Sequence, residues 1–147
     1  MGEELENAAS DFMAERVDPA MLATDAARLG GLLAPHFVYE SHRRLSRGQP
    51  ARNRAEFLSY VRQYFDFVPP ASMTPPDVVA VRGERLAVVG ASTFTIDGDE
   101  LRALQITRLT PDLNQLEWAG TYEPEQLDEA LAELDRQHAA IIGHDQK

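Results

Sequence analysis

The sequence predicts a single α+β domain in which helices pack on one face of a curled antiparallel sheet. Two observations lead there. Apolar residues recur at helical spacing up to about Phe67, and from Asp77 to Tyr122 the period changes to two. After Pro124 the helical period returns, so helices bracket a meander of strands. A length of 147 residues suits one domain with one substantial core.

Asp18-Pro19 punctuates the N-terminal third, with a helix expected before it and another after it. The second carries Met21, Leu22, Leu29, Leu32 and Leu33, and Gly30-Gly31 weakens its end. Phe37 to Arg43 reads as a strand entering the core. A helix then runs from about Pro50, a good first-turn residue, to about Phe67, with Phe57, Tyr60, Val61, Tyr64, Phe65 and Val68 on one side. Pro69-Pro70 and Pro75-Pro76 end it. Strands from Val78 to Val81 and from Leu86 to Phe94 flank a tight turn at Gly83-Glu84, and Asp97-Gly98-Asp99-Glu100 marks the next turn. The strands Leu101 to Leu109 and Leu116 to Tyr122 are joined by a longer turn, TPDLNQ. Strict alternation puts Leu116, Trp118, Gly120 and Tyr122 on one face of the last strand and Glu117, Ala119 and Thr121 on the other. The closing helix opens with Pro124 and an acidic first turn, and aligns Leu127, Ala130, Leu131, Leu134, His138, Ile141 and Ile142 in one stripe.

Composition narrows the function. With 24 acidic against 14 basic side chains, the net charge of −10 opposes a phosphate backbone, so no nucleic acid and no anionic membrane surface is expected as a partner. The absence of cysteine removes disulfides, thiolate metal sites and cysteine nucleophiles, and suits a cytoplasmic protein. No apolar run is long enough for a signal peptide or a membrane span. No serine nucleophile elbow, phosphate loop or dinucleotide fingerprint occurs, and no cofactor is expected.

Two segments carry a family resemblance. SHRRLSRGQPARNRAEFL, residues 41–58, is similar to an Asp-His-Arg-Pro-Leu-Gly-x-Gly stretch followed by Gly-Arg-Asp/Glu and a helix. GERLAVVG, the later DGDE and TYEPEQLDEALAELDRQH resemble a Gly-Asp-Arg-Leu-Ala strand, an Asp-Gly turn and a Phe-Asp-x-Asp-Asp-Leu-x-x-Ala-Leu-x-x-Leu-Asp ending. These motifs belong to a SnoaL-like domain of the nuclear-transport-factor-two-like superfamily, found as the C-terminal part of larger actinobacterial regulators and cyclase-like or ATPase proteins. The likeness covers about residues 26–142, with residues 1–25 as an N-terminal helical extension. It implies a cone-shaped sheet with helices on its concave face, a hydrophobic pocket between them, and a homodimer formed through the exposed face of the sheet. His42, Arg43, Leu45, Gly48, Arg54, Leu131 and Asp135 match the motifs. Ser41 stands where they have an acid, Arg44 where they have proline and Asn53 where they have glycine.

Candidate site residues fall into four groups. Glu40 and His42 project to the same face of a strand, so His42 is either a general acid or base beside Glu40 or a rim histidine fixing the strand to the next loop; Ser41 denies it the motif's orienting acid. Arg43, Arg44 and Arg47 either grip an anion or pair with surface carboxylates. Tyr39, Tyr60, Tyr64, Trp118 and Tyr122 either line the pocket or fill the core. Arg108 and Glu117, on adjacent strands, form a cross-strand ion pair or contribute polar pocket groups. His36, Glu40 and His42 lack a second cluster with ligand spacing, so no metal is expected. The expectation is a non-catalytic domain binding a hydrophobic small molecule. The alternative is a small isomerase, cyclase or dehydratase acting on a ketone-bearing substrate through Glu40, His42 or Glu117.

Overall fold

A computed structural model describes residues 6–17, 26–42, 52–67, 77–94 and 100–145 of the chain. Its elements are α1 (Ala8–Glu15), α2 (Ala26–Leu32), β1 (Leu33–Ser41), β2 (Arg52–Asn53), α3 (Arg54–Phe67), β3 (Asp77–Arg82), β4 (Leu86–Phe94), β5 (Glu100–Leu109), β6 (Leu116–Tyr122), a 3-10 turn (Pro124–Gln126) and α4 (Leu127–Asp145). The α+β class is as the sequence predicts. β4 and β6 keep the predicted limits. β1 begins four residues earlier than the expected Phe37, taking in Leu33, which the helical spacing places in the preceding helix. The helix expected from Pro50 starts at Arg54, because the Asn53 side chain caps it by accepting from Glu56 N at 2.9 Å.

One open six-stranded sheet orders the strands β2-β1-β6-β5-β4-β3. All neighbours run antiparallel except β1 and β6, which are parallel, so the sheet is mixed. Register shifts in β1–β6, β3–β4 and β5–β6 mark bulges, which bend strands and raise their twist.

Helices occupy both faces, where a single helical layer was expected. On the first face Ala9, Phe12 and Met13 of α1 and Phe57, Leu58, Tyr60 and Val61 of α3 pack on Phe37, Tyr39, Ala87, Val89 and Ala119. On the second, Ala130, Leu131, Leu134 and Ile141 of α4 pack on Leu86, Val88, Leu104, Ile106 and Trp118. The sheet surface expected to be bare for homodimerisation therefore carries α4 over β3, β4 and β5. The reason lies in β4: Leu86, Ala87, Val88 and Val89 are all buried, so successive side chains on both faces need a cover.

The β3–β4 turn anchors α1. Gly83 takes a φ of 57°, a left-handed conformation that glycine adopts without strain. Asn7 caps α1 by accepting from Ser10 N at 2.9 Å, and its amide donates to Gly83 O at 2.8 Å and Leu86 O at 2.7 Å. Ala8 N and Ala9 N donate to the Glu84 side chain and carbonyl, so two of the first turn's free N–H groups end on this turn. Among the described residues no helix is long and apolar enough to cross a membrane.

Candidate functional site

A bulge in β6 builds the polar centre of the second face. Arg108 pairs with Trp118 and Leu109 with Leu116, so Glu117 has no partner of its own on β5. Two residues of β6 thus oppose one step of β5, and alternation is interrupted. Leu116 packs with Ala119 on the first face, while Glu117 joins Trp118 on the second. This reverses the expectation that Leu116 shares a face with Trp118 and that Glu117 shares one with Ala119.

Glu117 Oε2 accepts from Arg108 Nε and from Arg85 Nη2, each at 2.7 Å, and Oε1 lies 3.4 Å from His36 Nε2. Arg108 also donates to Gln137 Oε1 of α4 at 2.7 Å, and its guanidinium sits 5.8 Å from the Trp118 ring centroid. Gln137, 4% exposed, donates to Glu133 Oε2 at 2.7 Å, and Arg136 grips both oxygens of Glu133. Arg136 holds the Glu133 carboxyl below its usual range. A chain of charge-assisted bonds thus runs from Arg136 through Glu133, Gln137, Arg108 and Glu117 to Arg85. It borders an open cleft of about 230 Å³ lined by Arg85, Arg108, Glu117, Arg136 and Gln137, with Ala140 and Ile141 of α4 as its apolar wall.

The remaining candidates lie apart from this cleft. Trp118 lies flat along β6 and donates from Nε1 to Glu40 Oε2 at 2.7 Å. A Cβ on Gly120 would stand 2.5 Å from its ring, so glycine is what lets the indole lie there. His42 stacks on the buried Tyr122 ring at 4.5 Å and 6°. Its backbone N–H donates to Thr121 O and its carbonyl accepts from Gln126 Nε2, the geometry of a rim histidine that ties the end of β1 to β6 and the last turn. Burial first, then Glu133 and Glu40, push the Tyr122 phenol up to about 12.

Tyr39 and Tyr60 belong to the other face, so the expected aromatic constellation is divided by the sheet. Tyr39 stacks with Tyr60 at 5.7 Å, meets Phe57 at 4.9 Å and shares a 2.8 Å hydrogen bond with Thr121 Oγ1. Burial is the main cause that raises its phenol to about 12. Beside it Ala87, Thr107 and Ala119 form a row across three strands, and the buried Thr107 hydroxyl has no hydrogen-bond partner among the described residues. Arg43, Arg44, Arg47 and the Tyr64 side chain lie outside the described residues. Among those described, no group of three His, Asp or Glu side chains converges to hold a metal ion.

Sequence reasoning singled out Arg108 and Glu117 but missed Arg85 and Gln137. Gln137 was findable, because it falls three residues after Leu134 and four before Ile141, within the buried stripe. Arg85 was hidden in a turn.

The sequence matches no protein-family model and no curated protein. Solved structures with the same fold include a cystatin-like protein of unknown function from Methylobium petroleophilum at 13% identity and TM-score 0.60, covering 83% of this chain and 80% of that one. A candidate ketosteroid isomerase of Kribbella flavida aligns at 16% identity and TM-score 0.59, over 80% and 79% of the two chains. IdmH, a candidate polyketide cyclase of Streptomyces antibioticus, aligns at 18% identity and TM-score 0.55, over 76% and 89%. These likenesses show the fold alone, a cystatin-like, nuclear-transport-factor-two-like α+β arrangement. That fold serves candidate enzymes and proteins of unknown function alike, so the function has to be argued from the site.

Proposed function

We propose that this chain is a non-catalytic small-molecule-binding domain and that its site is the cleft between β5, β6 and α4. The observation that carries the reading is that Arg85 and Arg108, both fixed on Glu117, border an open concavity opposite the apolar wall of Ala140 and Ile141. A few oriented polar groups beside an apolar surface are what a ligand with an apolar body requires. At about 230 Å³ the cleft falls below the range that holds drug-sized molecules, which favours a small ligand.

The polar groups argue for binding over chemistry. Isomerase and cyclase reactions use a carboxylate in apolar surroundings, with a nearby donor to the developing enolate. Glu117 instead meets two guanidinium groups, Glu40 receives the Trp118 indole N–H, and Tyr39 shares its hydroxyl with Thr121. The His42 ring is covered on one side by Tyr122.

Native mass spectrometry of protein purified from its host, repeated on Ala140→Phe, tests the reading. Ala140 is exposed on the cleft wall, so phenylalanine there obstructs the cleft without entering the core. A bound small molecule that is lost in the variant is the expected result. Retention of the molecule by the variant, or amide chemical-shift changes confined to the face of Tyr39 and Phe57, would reject it.

A further inference from the structure

Resting on the cleft as the binding site, we infer that its ligand is a small carboxylic acid, bound as the monoanion with its apolar part against Ala140 and Ile141. Three arginines, Arg85, Arg108 and Arg136, line the cleft, and the chain of bonds along it contains two carboxylates, Glu117 and Glu133. The three guanidinium groups outnumber the two carboxylates that hold them, so the lining favours an anion over a neutral molecule in a protein whose net charge is −10.

Donor geometry points the same way. A guanidinium offers five N–H groups in a planar fork that fits a carboxylate with two parallel bonds. Arg85 spends one on Leu109 O and one on Glu117, while Arg108 spends one on Glu117 and one on Gln137. Both keep further N–H groups, and their side chains are 22% and 27% exposed. They are also held in advance: Arg108 by Glu117, Gln137 and the Trp118 ring, Arg85 by Glu117 and a backbone carbonyl. A fork fixed before the ligand arrives loses little side-chain freedom on binding.

The test is an amide chemical-shift titration of the folded protein with butyrate and benzoate, each matched by its neutral amide and accompanied by inorganic phosphate. The expected result is saturable shifts at Glu117, Gln137 and Ala140, with the acids binding about tenfold or more tightly than their amides and than phosphate. Arg136→Gln, at a largely exposed position that does not endanger the fold, should weaken the acids several-fold and leave the amides unchanged. Amides binding as tightly as the acids would overturn the ligand class while leaving the cleft as a binding site. Phosphate binding more tightly than the acids would overturn it too. An absence of shifts at the cleft with every probe would overturn both the ligand class and the binding reading beneath it.

Discussion

Replacing Glu117 by alanine leaves Arg85 and Arg108 without the carboxylate that joins them. The Glu117 side chain is 11% exposed and the two arginine side chains are 22% and 27% exposed, so the three-membered contact is mostly, though not wholly, withdrawn from water. Each lost bond involves charge on both partners, worth about 1.5–3 kcal/mol. Both guanidinium groups can turn partly toward solvent, which places the total near the lower end of the sum, at about 3 kcal/mol and comparable with the breaking of a buried pair. In a domain of this size, that corresponds to a fall in Tm of roughly 6–12 °C. Glu117→Gln keeps an acceptor and the shape of the bulge, and should cost about 1–2 kcal/mol. Urea unfolding followed by tryptophan fluorescence and by circular dichroism measures both variants, with coincident curves checking that the transition is two-state. A double-mutant cycle with Arg108→Met should return a coupling of at least about 1 kcal/mol. A loss below about 1 kcal/mol for Glu117→Ala would refute the reasoning, because the contact would then behave as an ordinary surface ion pair.

Asn7→Ala removes the cap of α1 and leaves the buried carbonyl of Leu86 without its side-chain donor; we expect a loss of about 2–3 kcal/mol, with faster amide hydrogen exchange concentrated in α1. Stability should also fall in alkali. The Tyr39 phenol is raised from 10 to about 12 in the folded state, so its contribution is complete below pH 10 and is lost as pH rises toward 12. Tyr39→Phe should remove roughly 2–3 kcal/mol of the loss seen on unfolding from pH 9 upward, with the remainder belonging to Tyr122, whose phenol is raised likewise, and an unchanged slope in that variant would contradict the assignment.

Several elements were legible because their signals are local. Turn signals around β-rich runs bounded β4 and β6 to the residue, and the stripe of Ala130 and Leu134 placed the buried side of α4. The side of the sheet that α4 covers was harder to read. An amphipathic helix announces that it buries a stripe without naming its partner, yet the unbroken run Leu86 to Val89 already pointed to a strand covered on both faces. The two-residue strand β2 is too short to show any period. The bulge at Glu117 was hidden because alternation extrapolates straight through an inserted residue, and every face assigned on one side of it is then inverted. The pairing of Arg108 with Glu117 was foreseen across the hairpin, whereas Arg85 and Gln137 reach the site from a turn and a helix whose approach only the tertiary structure fixes.

The same bulge makes Glu117 separable from the architecture around it. Leu116 and Trp118 serve opposite hydrophobic clusters, and with residue 117 deleted they would stand as consecutive members of a regular strand, still facing opposite ways. A single-codon insertion or deletion at this point would therefore add or remove the anion at the centre of the cleft without moving either core. The strand can gain or lose its polar function in one step, on a scaffold that folds around it in both cases.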